Sequence, residues 1–181
     1  MSKKSKGKGD RWERQVAKDL NKWWNKQELE GEFYRTPASG GLRWRKREDV
    51  VGDVSSPAIF THTVEVKHNE SLDYKQFFEP PTPNKNTVTG WWKQAVDEAS
   101  RADRLPWLVI KRNYCKPLLI FSLDDEKTSF FIEAMDLLIT TRFDIELGLP
   151  NCEDIGIFWW EEFLEKSNPE MFCTRVIRQE S

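Results

Sequence analysis

The chain is poor in the residues that build zinc, disulfide and acyl-transfer sites. It has three cysteines, Cys115, Cys152 and Cys173, and two histidines, His62 and His68. No pair of cysteines has CxxC spacing, which argues against a structural zinc site. An odd, scattered set of cysteines with no secretory signal fits a reducing compartment and predicts free thiols. The opening "MSKKSKGKG" is too charged for a signal peptide. No apolar run approaches the ~20 residues that span a bilayer, and there is no internal repeat. These absences predict a cytoplasmic protein without a membrane partner.

What the chain does have is charge and tryptophan. Of 181 residues, 38% are hydrophobic and 32% charged, which suits one domain with a modest core. Nine tryptophans include three adjacent pairs, Trp23-Trp24, Trp91-Trp92 and Trp159-Trp160. Neighbours in sequence are not expected to share one core, so some of these tryptophans are expected at edges, in interfaces or against a ligand. The net charge of −2 hides a segregation: residues 1–48 hold 14 basic against 7 acidic side chains, and residues 122–181 hold 5 against 14. A basic first quarter suggests a polyanion-facing side.

Residues 1–8 read as a flexible basic arm. A helix is expected from about Asp10 to Lys26, with Asp10 as N-cap and Glu13 in capping-box spacing. Trp12, Val16, Ala17, Leu20, Trp23 and Trp24 recur on its inner side. Glu13 flanks that stripe, and both a capping glutamate and a carboxylate aimed into a site fit its position. Strands are expected over 32–36, 50–54 and 58–68, then a short helix within 69–79. The loop Pro80–Gly90 is long enough to serve as a lid, and a helix runs from about Gly90 to Arg104. "WLVIKR" and "PLLIFSL" read as a hairpin. A helix over 129–142, a strand at "IGIFWW", a short helix near 161–166 and a terminal strand complete the reading. Helices interleaved with strands predict an α/β fold with a central mixed sheet.

Along the strand 58–68, alternation puts Thr61, Thr63, Glu65 and Lys67 on one face and Phe60, His62, Val64 and Val66 on the other. Glu65 and Lys67 stand ~7 Å apart along the chain. If residues 50–54 pair with this strand, Asp53 comes beside Glu65. Two adjacent carboxylates repel, and a hard divalent cation such as Mg²⁺ relieves this. Such an ion acidifies a water and polarises a phosphoryl oxygen, and Lys67 would position the water and offset charge. A salt-bridged outer strand face would look the same by spacing alone.

Upstream lies "RTPASGG", Arg35 to Gly41, in which Pro37 stiffens a loop carrying Ser39 and two glycines. No histidine or other base stands out to make Ser39 a nucleophile. "LRWRKR" follows, where Arg43, Arg45, Lys46 and Arg47 can neutralise phosphates. Trp44 is equally suited to stacking on a base and to packing in the core.

The ordered series "KGDRWER", "RTPASGG", "GD", "EVK" and "KQA" resembles the archaeal-type Holliday junction resolvases of the PD-(D/E)XK nuclease superfamily, over roughly residues 6–122. The resemblance implies a restriction-endonuclease-like fold with a nuclease core over 9–122 and a C-terminal extension over 123–181. It implies that Asp53 and Glu65 ligate Mg²⁺ (or Mn²⁺), that Glu13 is a metal-site or metal-orienting carboxylate, and that Lys67 is the catalytic lysine. Ser39 would contact the scissile region on a loop flanked by Arg14 and Arg35, with Lys8 on the same DNA-facing side and Gln94 as an auxiliary residue. A homodimer nicking four-way DNA junctions is the implied assembly. Flap, branched or duplex DNA, or DNA binding without catalysis, are the alternatives. Two departures stand out: Gly52 replaces the Pro of the superfamily name, and "SSP" follows Asp53 closely.

Overall fold

The computed structural model describes residues 3–36, 52–123, 139–143 and 154–174. Seven strands form one sheet in the order β1-β2-β3-β4-β5-β7-β6. They are β1 (Tyr34–Arg35), β2 (Val54–Ser55), β3 (His62–His68), β4 (Leu105–Lys111), β5 (Leu118–Ser122), β6 (Ile139–Arg142) and β7 (Asp154–Trp159). β3 and β4 are parallel and joined through helix α2 (Val88–Arg101); every other neighbouring pair is antiparallel. The expected mixed-sheet α/β class therefore holds. Among the described residues no helix is long and apolar enough to cross a membrane.

Two layers of side chains sandwich the sheet. On one face, α1 (Lys3–Trp24) and α3 (Trp160–Lys166) cover Val64, Val66, Trp107, Val109, Leu119 and Phe121. On the other, α2 covers Leu108, Ile110, Leu118 and Ile120. β4 is apolar on both faces because it is central and covered twice. α1 stays amphipathic as expected, with Trp12, Val16, Leu20, Trp23 and Trp24 buried. It stops where Glu28, after a short 3-10 turn, takes a left-handed conformation (φ 52°). Asn21 then clamps the returning chain, its amide donating to the Phe33 carbonyl and its oxygen accepting from the Phe33 N–H, both at 2.7 Å.

Several expectations need correction. α1 begins at Lys3, so the presumed basic arm is helical from there and Asp10 lies inside the helix rather than capping it. β3 begins at His62, not Ala58, because the Phe60 N–H bonds the Pro57 carbonyl in a turn just before it (3.0 Å). Residues 139–142 are strand β6, not the end of a helix, paired along β7. Two of the three tryptophan pairs do share a core: Trp23 and Trp24 are both buried in the α1 layer, and Trp91 and Trp92 both in the α2 layer, whereas Trp160 is buried in the α1 layer and Trp159 lies partly buried on the α2 side. Trp23 packs on Trp107, Phe163 and Phe172, while Trp24 packs on Phe33 and Phe60, which wrap the other side of the helix end. The segment 123–181 is continuous with the core: β7 pairs along β5, and α3 fills the α1 layer.

Candidate active site

The register that buries Val64 and Val66 under α1 turns Glu65 and Lys67 to the opposite face, toward α2. Asp53 reaches the same place from the bend before β2. Its N–H donates to the Val64 carbonyl (3.1 Å), its own carbonyl accepts from Thr36 N–H (3.0 Å), and its Oδ2 accepts from the Val66 N–H (3.1 Å). Three bonds thus fix Asp53 beside β3. Gly52 makes the approach possible. Its φ is +83°, and a Cβ there would lie 2.8 Å from the Val64 carbonyl oxygen. Proline, locked near φ −65°, cannot adopt that backbone, so the departure from the superfamily's Pro-Asp pattern has a conformational cause.

Around Glu65 the contacts are dense. It is 2% exposed. Its Oε1 accepts from Gln94 Nε2 on α2 (2.7 Å) and forms an ion pair with Lys67 Nζ. Its Oε2 is buried with no hydrogen-bond donor. Burial, then the charge of Asp53, push Glu65 well above the ordinary carboxylate range against the pull of Lys67. Burial also raises Asp53, while Lys67, the Val66 N–H and a hydrogen bond from Glu65 work the other way. Burial alone would lower Lys67; Glu65 and Asp53 outweigh it and hold its ammonium charged.

This donor set fits a hard divalent cation. The buried Oε2 lacks a donor, and the charge of Asp53 beside it makes ionising Glu65 costly. A cation there would satisfy the bare oxygen and offset the repulsion between the two acids. Among the described residues no group of three His, Cys, Asp or Glu side chains forms a metal cage. Two carboxylates leave positions for waters and phosphate oxygens, the sparse protein ligation Mg²⁺ favours.

Glu13 is not brought into that set. It is buried on α1, and its Oε2 accepts from Arg35 Nε (2.6 Å), whose Nη2 also reaches Asp10 Oδ1 (2.8 Å). Burial and the nearby charge of Asp53 nonetheless raise Glu13, so it stands next to the acid pair electrostatically. Arg35, expected on DNA, is engaged by these two acids. Lys8 pairs with Glu70, and Arg14 is exposed on α1. Ser39, Arg43, Trp44, Arg45, Lys46 and Arg47 lie outside the described residues. His68 bonds Asn113 Oδ1 through Nε2 (2.8 Å), tying the end of β3 to the β4–β5 turn.

One residue escaped the sequence reading. Glu98 lies one turn beyond Gln94, accepts from its Nε2 (3.1 Å), and adds negative charge felt by Asp53, Glu65 and Lys67. The i, i+4 spacing with Gln94 was its visible signal. Both line a shallow groove of about 340 Å³ on α2 whose far wall is Pro83, Asn84 and Lys85, from the loop expected to act as a lid.

A mixed α/β sheet carrying Asp53, Glu65 and Lys67 in this arrangement defines a nuclease of the PD-(D/E)XK superfamily, with a restriction-endonuclease-like fold. The chain belongs to the family described as "Phage putative PDDEXK endonuclease", which matches residues 4–174. That match includes the C-terminal segment and differs from the archaeal-type resolvase subtype suggested by the motifs. No curated protein and no solved structure matches the chain.

Proposed function

We propose that the protein is a Mg²⁺-dependent DNA endonuclease whose phosphodiester hydrolysis is centred on Asp53, Glu65 and Lys67. The observation that carries this reading is the buried, donorless Oε2 of Glu65 beside a second buried acid. When bound, the cation supplies an acidified water and Lewis-acid polarisation of the phosphoryl oxygen. Asp53 and Glu65 would hold it, positioned by three fixed hydrogen bonds at Asp53 and by the Gln94 amide at Glu65. Lys67, kept charged by its neighbours, exchanges its Glu65 contact for the phosphate oxygen on which charge develops, or orients the attacking water. Arg35 holds Glu13 along α1, from where it would orient the ion's surroundings rather than bind the ion.

The test is cleavage of plasmid DNA with Mg²⁺ and with chelator. Cutting should require the metal and vanish in Asp53→Asn and Glu65→Gln; undiminished cutting by either variant refutes the assignment. A narrower reading, resolution of four-way junctions by a homodimer, rests on the motif order "RTPASGG"–"GD"–"EVK"–"KQA", since two coordinated nicks need two sites. Parallel assays on junction, flap, single-stranded and duplex DNA, with a sedimentation mass, decide it. Equal cutting of duplex, or a strict monomer with and without DNA, rules it out.

A further inference from the structure

We propose that the β4–β5 hairpin tip, Lys111–Lys116, is a stacking platform for an unpaired base of the DNA strand at the active site, with Tyr114 as the platform; the inference rests on the nuclease reading above. Lys67 pairs in register with Ile110 and His68 with Lys111. The tip thus begins where the catalytic strand ends, and Tyr114 is four residues, at most ~13 Å of chain, beyond Ile110.

Nearly every element of the tip is fastened. The Lys111 carbonyl accepts from the Asn69 N–H (2.9 Å), and Asn113 is held by His68 (2.8 Å). The Cys115 N–H closes the turn on the Arg112 carbonyl (3.3 Å). Lys111 lies over the Trp12 ring at 4.6 Å and Arg112 over Tyr74 at 5.4 Å. Lys116 sits 5.6 Å from the Trp159 ring and 3.5 Å from Glu162. Tyr114 is the one aromatic of the tip and is presented outward. It is 105% exposed, and its φ of +61° is rare for a bulky residue. A turn anchored on both sides that projects one aromatic ring pre-organises that ring for a partner.

The surroundings select the partner. Residues 111–116 themselves carry Lys111, Arg112 and Lys116 and no acid, while Asp19, Glu161 and Glu165 lie on α1 and α3 across the adjoining groove. Cations flanking an aromatic face suit a phosphate backbone with a base laid on the ring. A lone exposed ring cannot supply the ~800 Å² per partner of a standard protein interface. Base stacking is indifferent to sequence, so the tip selects DNA with an unpaired base near the cut rather than any one sequence.

The test compares a blunt duplex with the same duplex carrying a short unpaired stretch, with 2-aminopurine at the unpaired position. Anisotropy and 2-aminopurine fluorescence are read in the Glu65→Gln background to prevent cutting. Adding Tyr114→Ala should weaken binding to the unpaired DNA by roughly 5- to 150-fold, the range for one stacked base, and abolish 2-aminopurine quenching. Blunt-duplex affinity should barely move. Tyr114→Phe should behave as the parent, because the ring does the stacking. Unaltered affinity and quenching in Tyr114→Ala overturn the proposal, as does an equal loss on blunt duplex. A change in sedimentation mass with Tyr114→Ala overturns it in favour of a contact between copies. If the wild-type chain cuts DNA with Mg²⁺ and Tyr114→Ala changes nothing, this inference alone falls. If the wild-type chain neither binds nor cuts DNA, the nuclease reading falls with it.

Discussion

Glu65→Gln should abolish cleavage yet leave the metal-free protein as stable as the wild type, or more so. The cluster around Glu65 contains the carboxylates of Asp53, Glu65 and Glu98 against the single cation of Lys67. Removing one partner of a buried ion pair is ordinarily costly because a charge is left alone. Here Lys67 keeps Asp53 as its counter-charge. The glutamine oxygen can still accept from Lys67 and Gln94, and the NH₂ that replaces Oε2 removes the unsatisfied acceptor and puts a donor beside the Asp53 carboxylate.

The pH dependence follows from the direction of the shifts. Glu65, Asp53 and Glu13 are all raised in the folded state, so between the ordinary carboxylate range and their folded values the folded chain holds more protons than the unfolded one. Metal-free stability should therefore be highest at acid pH and fall as pH rises through that window, on the order of 1 kcal/mol per pH unit per proton. Lys67 does not oppose this, since its contribution is lost only above the ordinary lysine range. Mg²⁺ reverses the trend. At a free concentration 100-fold above its dissociation constant it should add about 2.7 kcal/mol, roughly 5–10 °C in Tm for a chain of this size. Glu65→Gln should lose nearly all of that gain and flatten the acid-to-neutral slope. Differential scanning fluorimetry from pH 5 to 8, with EDTA or Mg²⁺, reads all three quantities. A variant that melts far below wild type in EDTA yet keeps the full Mg²⁺ shift would refute the reading of Glu65 as a frustrated metal ligand.

Gln94→Ala should lower Mg²⁺ affinity by about 10- to 100-fold, the usual cost of losing a residue that orients a ligand, with little change in Tm; calorimetric titration checks this. Gly52→Ala should cost about 2–4 kcal/mol, from a left-handed backbone and a Cβ pressed 2.8 Å from the Val64 carbonyl; a chemical denaturation midpoint unchanged from wild type would contradict it. A chain ending at residue 153 should lose its cooperative unfolding transition, because β5 would lose β7 and the α1 layer would lose Trp160, Phe163 and Phe172; circular dichroism melts decide it.

The chemistry of the site was legible because it depends on period-two alternation. Val64 and Val66 are apolar, Glu65 and Lys67 are charged, and no other register of β3 keeps the first pair inside. α1 was legible from the spacing of Trp12, Val16, Leu20 and Trp23. Its start was not, since the polar sequence from Lys3 carries no apolar period and Asp10 imitates a cap. β6 was missed because "ITTR" follows a helical-looking run and owes its strand state to pairing with β7, a tertiary effect invisible locally. Arg35 was assigned to DNA because a positive charge beside a glycine-rich loop suggests phosphate. Its partnership with Asp10 and Glu13 spans more than 20 positions in sequence and appears only once α1 and β1 are side by side.

The aromatic layer under α1 is itself part of the catalytic apparatus, though none of its residues is placed among the reacting groups. Trp23 meets Phe60, Trp107, Phe163 and Phe172 at ring separations of 5.6–6.4 Å. Phe60, Trp107 and Phe172 in turn surround the His62 ring, at 4.9–5.7 Å. This packing anchors the start of β3, and the burial of Val64 and Val66 fixes its register. A slip of one residue would bury Glu65 and Lys67 among these rings and send the valines to the α2 face. The acid pair, short of donors and raised by burial, opposes its own assembly. The aromatic layer supplies the compensating stability, and two of its members, Phe163 and Phe172, come from the C-terminal segment, far in sequence from Asp53, Glu65 and Lys67. Conserving the nuclease chemistry in this chain therefore means conserving the sheet's far end.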